Sequence, residues 1–196
     1  MFSPWGPRYN NRSPKIEEND PETNTLREIK NIFNKFNDLG YTIKFLLMPA
    51  DAYGTEVNNL SQTFVTDYFK WLEDRTNKEL KTLNQCDVEV KLWSEIREEQ
   101  KNRYDTLSFE IDQNFNSYIK DGEFQNAMQV AKVFNPKNAQ SSARKYCIER
   151  LVEGNIINEI YTPIKLSLVR KEKDTLDGPL KRIYLIKNRA PWLGGK

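Results

Sequence analysis

The chain contains no histidine, which removes the commonest general base and the commonest zinc ligand together. Hydrolase triads built on histidine are excluded. Acid–base work must fall to Asp, Glu, Tyr, Lys, the termini or a group of the substrate. A metal site would have to be rich in oxygen and hold Mg²⁺ or Ca²⁺; no spaced carboxylate motif argues for one, so neither metal nor cofactor is expected. Cysteine is scarce as well. Cys86 and Cys147 are too few and too far apart to read as a disulfide framework, which favours free thiols in a reducing compartment and a cytoplasmic location. No stretch approaches the ~20 apolar residues of a membrane span, and "MFSPWGPRYNNRSP" lacks the apolar segment of a signal peptide. A membrane is not an expected partner.

What is present suits one folded domain. The 196 residues are 38% hydrophobic and 30% charged, with 10 Phe, 9 Tyr and 4 Trp to build a core, and single cores commonly hold about 100–200 residues. The net charge of +2 is unevenly spread: residues 132–196 carry fourteen Lys/Arg against six Asp/Glu. A basic region of that kind suits a phosphate backbone, which releases counterions as it is neutralised. A solvated face on an ordinary globular protein would look the same.

Residues 1–24 hold Pro4, Pro7, Pro14 and Pro21 among polar residues and read as a flexible N-terminal arm, followed by a single α/β domain over 25–196. Thr25 with Glu28 reads as a capping box, and Leu26, Ile29, Phe33 and Phe36 recur at helical spacing up to a stop at Gly40. Tyr41 to Met48 reads as a strand covered on both faces. A helix through Phe64, Tyr68, Phe69, Leu72 and Leu80 leads to "DVEVKLW", which alternates as a strand with one wetter face. Strand, helix and strand in that order predict a right-handed crossover with a parallel pair. Ser94 to Ile119 reads as one or two charged helices, "DGEFQNAMQVAKVF" as another ended by Pro136, and "AQSSARKYCIERLVEGNIINEIY" as a helix broken or ended near Gly154. "IKLSLV" and "KRIYLIK" read as strands joined through the Asp-Gly turn of "DTLDGP". The expected fold is a Rossmann-like three-layer α/β sandwich, with a mostly parallel central sheet and helices on both faces.

Ligands of open α/β sheets bind beyond the carboxyl ends of the strands, which directs attention to "PADAYGTEVNN". Pro49 ends the ladder and Asp51, Tyr53, Glu56 and Asn58 follow it; a turn capped by Asp51 or Asn58 with Tyr53 packed beside it would use the same residues. The second strand ends in "WSEIR", placing Ser94, Glu95 and Arg97 beside that loop, where Ser94 and Glu95 also suit an ordinary helix start. In "ARKYCIERLVEG", Tyr146, Glu149 and Arg150 share a helix face. They could bind an amine or relay a proton, or form a surface ion pair. "KRIYLIKNRAPWLGG" interleaves Tyr184 and Trp192 with cations, as single-strand binding or a lysine-protected edge strand would.

The order of these parts resembles that of the cyclodipeptide synthases, relatives of class I aminoacyl-tRNA synthetases that join two aminoacyl groups taken from charged tRNAs. The likeness runs over roughly residues 26–187: a helix, the apolar strand "IKFLLM", the polar loop "PADAYG", a helix ending in "YFKWL", a second strand, a charged helical middle and a Tyr/Glu helix before the last strands. In that family the first loop binds the first aminoacyl group, the later Tyr and Glu hold its amine, and a basic helical face receives tRNA. The family's nucleophilic serine, within a glycine–any–serine pattern, has no counterpart in Met48, Pro49, Ala50 and Asp51, and its Tyr and Glu are spaced by four where Tyr146 and Glu149 are spaced by three. The resemblance implies a tRNA-dependent aminoacyl transferase making a peptide or cyclodipeptide bond. Asp51, Tyr53, Tyr146 and Glu149 would be its catalytic set, and Glu56, Asn58, Ser94, Glu95, Arg97 and Tyr161 would contact substrate. Lys137, Arg144, Lys145, Arg150 and Lys165 would meet aminoacyl-tRNA or another RNA. The alternative is a non-enzymatic RNA-binding module that uses the same basic third.

Overall fold

The computed structural model describes residues 2–5, 21–167, 176 and 178–184. It begins with strand β1 (Phe2–Trp5) and helix α1 (Pro21–Asp38), then strand β2 (Ile43–Pro49). A π-helical turn (Tyr53–Val57) precedes α2 (Gln62–Leu80), β3 (Cys86–Val90) and α3 (Trp93–Glu99). Helices α4 (Lys101–Gln113), α5 (Phe115–Tyr118), α6 (Asp121–Phe134) and α7 (Ala139–Tyr161) follow, with a 3-10 turn (Pro136–Asn138) between the last two. Strands β4 (Ile164–Ser167) and β5 (Lys181–Tyr184) complete the described chain. No helix among the described residues is long and apolar enough to cross a membrane.

The strands form one sheet in the order β3-β2-β1-β4-β5, every neighbouring pair parallel. That is the strand order of doubly wound nucleotide-binding sheets. The crossover expected from the sequence is present: β2 leads through α2 to β3, in a register running from Ile43↔Cys86 to Leu47↔Val90. Ser61 caps α2 by accepting the Phe64 N–H at 3.2 Å. Along β2 the side chains alternate in allegiance. Ile43, Phe45 and Leu47 join a core with α1 and α2, while Leu46 and Met48 join a second core with α3 to α7.

Two expectations need correction. The N-terminal segment is not wholly without structure: Phe2–Trp5 lies in the middle of the sheet, and α1 begins at Pro21 rather than Thr25. A proline lacks the N–H that a ladder requires, yet Pro4 stands within β1, opposite Met48 of β2. Pro21 fits the first turn of α1, because that turn has no ladder partner to lose. The reading of residues 6–20 as flexible lies outside the described residues.

Helix α7, the second correction, runs unbroken through Gly154. Four successive residues, Leu151 to Gly154, are buried, so the helix is enclosed on all sides and tertiary packing overrides the local cost of glycine. A Cβ on Gly178 would meet Asn155 Nδ2 at 3.4 Å and the Gly154 carbonyl carbon at 3.8 Å, so the segment ahead of β5 presses on α7 at its glycine. The Asp-Gly signal thus marks a turn with positive φ at Gly178, and the strands on either side of it run parallel.

Leu47 is fully buried at the centre of β2. Leu47→Ala is expected to cost about 2–5 kcal/mol, read as a lower urea midpoint with an unchanged slope.

Candidate functional site

The tips of β2 and β3 are joined by carboxylates. Past Pro49 the chain enters a buried wide turn; such π-helical turns recur at functional sites because they push side chains out of helical register. Asp51 accepts the Ser94 N–H at 3.0 Å, so an acid from the β2 loop occupies the N-terminus of α3, where the helix dipole favours it. The neighbouring Glu95 accepts the Leu92 N–H at 2.9 Å. Ser94 is therefore not the cap of α3; it is the donor that Asp51 holds. Asp51 and Glu95 line one cavity of about 250 Å³, between the strand tips and the first half of α2.

On the opposite face of β2, α7 carries two carboxylates that are almost wholly withdrawn from solvent, Glu149 and Glu153 at 2% and 1% exposure. They lie four residues apart, one helical turn. Burying such groups is costly unless donors meet them, and both are met. Glu149 accepts from Trp93 Nε1 at 2.5 Å, Tyr104 OH at 2.6 Å and Arg97 Nη1 at 3.3 Å. The other end of Arg97 donates from Nη2 to Glu56 at 2.7 Å, and Lys145 reaches the second Glu56 oxygen at 2.8 Å. The Arg97 guanidinium also lies over the Tyr104 ring, 5.0 Å from its centroid. Glu153 accepts from Tyr53 OH at 2.7 Å, the one donor to it among the described residues. The Tyr53 and Tyr146 rings meet edge to face at 5.8 Å.

Ionisation follows from these contacts. Burial, reinforced by the charge of Glu153, holds the Tyr53 phenol well above its ordinary pKa. Tyr104 is raised by burial and by Glu149. Both are donors through the neutral range. Burial works to raise Glu56, yet hydrogen bonds from Arg97 and Lys145 outweigh it and bring its carboxyl below the usual value. For Arg97 burial favours loss of the proton, but the bond to Glu56 and the charge of Glu149 more than restore it. Among the described residues no three His, Cys, Asp or Glu side chains converge as a metal site requires.

The structure therefore brings together Asp51 with Ser94, Tyr53 with Tyr146, and Glu56 and Arg97 with Glu149. It does not pair Tyr146 with Glu149 as an amine clamp. Asn58 ends the wide turn, its N–H bonded to the Tyr53 carbonyl. Tyr161 lies at the far end of α7, where burial and the charges of Glu89, Lys91 and Glu99 act on it. Of the cations assigned to RNA, Arg144 is bound to Asp112 through Nε at 2.7 Å and rests on the Phe115 ring, Lys145 is held by Glu56, and Lys137 is exposed in the 3-10 turn. Arg150 is half-buried and acts electrostatically on Tyr53. The Lys165 side chain, and the aromatic and basic residues after Tyr184, lie outside the described residues.

Sequence reasoning missed Trp93, Tyr104 and Glu153. A signal for Glu153 was present: in "CIERLVEGNII" two acids one turn apart interrupt an otherwise apolar helix. Two tests follow. Arg97→Met leaves Glu149 buried without its cation and is expected to cost about 3–5 kcal/mol; adding Glu149→Gln should recover part of that loss in a double-mutant cycle read by denaturation. Because Glu56 has a lowered folded pKa, its contribution is complete above the ordinary glutamate range and is lost as pH falls through the folded value. Glu56→Gln should therefore flatten the acid limb of a stability–pH curve, with little change in slope at neutral pH.

No family model matches the sequence, and no curated protein does. Among solved structures the chain is similar to "structure of a CDPS from Fluoribacter dumoffii", a cyclodipeptide synthase, with a TM-score of 0.53 and 11% identity; the alignment covers 93% of this chain and 88% of that one. At that identity the likeness is one of fold, and it gives the resemblance drawn from the order of the sequence elements a counterpart in three dimensions.

Proposed function

We propose that the protein is a tRNA-dependent aminoacyl transferase, forming a peptide or cyclodipeptide bond on a Rossmann-like three-layer frame. The observation that carries this reading is the pair of buried carboxylates on α7, wired to the tips of two parallel strands. Buried acids with specific charge partners at strand ends are costly to keep and characteristic of reacting sites. The cyclodipeptide synthase fold supplies the substrate class. A non-enzymatic RNA-binding module accounts for neither Glu149 nor Glu153.

The chemistry asks little of the protein beyond positioning. The amine nitrogen of one aminoacyl group attacks the ester carbonyl carbon of another; a C–N bond forms and the C–O bond to the tRNA ribose breaks. In this reading the amine donates to the oxygen of Glu153 that Tyr53 leaves unused. The proton it loses passes by way of that carboxylate to the departing ribose oxygen. Tyr53 keeps its own proton and fixes the orientation of Glu153, while the Tyr146 ring walls the site. Glu149, saturated by three donors, is a positioning residue that locks α3 and α4 to α7. With no counterpart of the family's serine among Met48, Pro49, Ala50 and Asp51, and with the Asp51 carboxylate held by a backbone N–H, transfer in this reading is direct, without an acyl-enzyme. Contact with tRNA is assigned to Lys137, Lys165 and the basic third around them.

The purified chain, incubated with a full set of aminoacyl-tRNAs, is expected to strip the acyl group from at least one of them and yield a peptide or cyclic dipeptide visible by mass spectrometry. Glu153→Gln and Tyr53→Phe should each lower that rate about a hundredfold or more while circular dichroism shows the fold retained. Full retention of charge on every tRNA overturns the reading.

A further inference from the structure

The cavity beyond the tips of β2 and β3 is separate from the buried pair and takes no part in the transfer step at Glu153. Its floor is apolar, made by Val65 and Phe69 of α2 with Val90 of β3. Among the described residues its rim carries Asp51, Glu73 and Glu95 and one cation, Lys70, so acid is in excess there. At about 250 Å³ it falls below the ~300–1,000 Å³ of pockets that take whole small molecules. It matches one side chain and is too small for a nucleotide.

Two of the acids are fixed in place. One oxygen of Asp51 is held by the Ser94 N–H and one oxygen of Glu95 by the Leu92 N–H. Each carboxylate is thereby oriented through one oxygen, and no side-chain donor bonds the other among the described residues. Pre-oriented acceptors of this kind favour a cationic donor, and charge-assisted hydrogen bonds are the stronger ones. The start of α3 links the two regions along the chain: Ser94, which holds Asp51, directly follows Trp93, which holds Glu149.

We infer that this cavity is a specificity pocket for a cationic side chain, a guanidinium or ammonium on an aliphatic stem, carried by an aminoacyl substrate. The stem lies on Val65, Phe69 and Val90, and the charged head meets Asp51, Glu73 and Glu95. The substrate assignment rests on the proposed transferase function; the affinity of the cavity for the cation does not.

The probe is n-propylguanidinium, with n-propylurea as its neutral counterpart of the same shape, titrated into the full chain and followed by amide chemical shifts. The guanidinium is expected to shift Val65, Val90 and Glu95 and to bind at least tenfold more tightly than the urea. Glu73→Gln combined with Glu95→Gln should weaken it about tenfold or more. Glu73 is exposed on α2, so Glu73→Gln alone, expected to weaken the guanidinium by a smaller factor, serves if Glu95→Gln disturbs the start of α3. Equal binding of the two probes, no binding of the guanidinium, or no response to the variants overturns the cation site. The same double variant is then assayed on charged tRNAs. Selective loss of arginyl or lysyl transfer supports the pocket. Transfer confined to neutral aminoacyl groups and indifferent to the variant overturns the pocket and leaves the transferase standing. Absence of any transfer overturns the transferase reading and with it the substrate assignment, while guanidinium binding still decides the cation site.

Discussion

A carboxylate drawn out of water on an apolar helix has to be met by donors, and the way Glu149 is met organises this molecule. Its partners come from α3 and α4, and one of them, Arg97, reaches on to Glu56 in the turn after β2. A single buried acid thus ties together the tips of both β2 and β3 and α7, the longest of the described helices. The arrangement is not an economical source of stability, since well-packed apolar groups commonly do as well or better. Its return lies in position: it sets the height of α7 against the sheet, and with it the place of Glu153 and Tyr53.

Much of the frame was legible in the sequence. The apolar run "IKFLLM" declares a strand covered twice over, and β2 does send alternate side chains to two different cores. The strand–helix–strand order gave the parallel pair, because a crossover of that length leaves few other solutions. The N-terminal strand was not legible. Four residues with a proline carry no period, and their place in the sheet comes from partners more than forty residues away.

The site was legible in part. Polar residues at strand ends announced themselves, so Asp51, Tyr53, Glu56, Ser94, Glu95 and Arg97 could be named beforehand. Their pairings could not be. Tyr146 and Glu149 share a face in the helical count, yet Tyr146 meets Tyr53 while Glu149 turns to Trp93 and Tyr104, because burial on several sides lets one helix serve several neighbours. Trp93 is a core aromatic and Tyr104 packs against the same core; only their shared partner shows that each also lends a polar hydrogen. Arg144 and Lys145 looked suited to phosphate by charge alone, and both turn out to be engaged by carboxylates in Asp112 and Glu56.

The place of β1 bears on how the chain reaches this form. Among the described strands β1 alone connects the ladder of β2 and β3 to that of β4 and β5, and its contact on the second side joins Phe2 to Lys165. Closing so long a span is entropically slow, and folds dominated by distant contacts assemble slowly. One ladder can zip early around α2, but the sheet becomes continuous only after α7 has been laid down and β4 has returned to the first strand, so the last seam to close is the middle one.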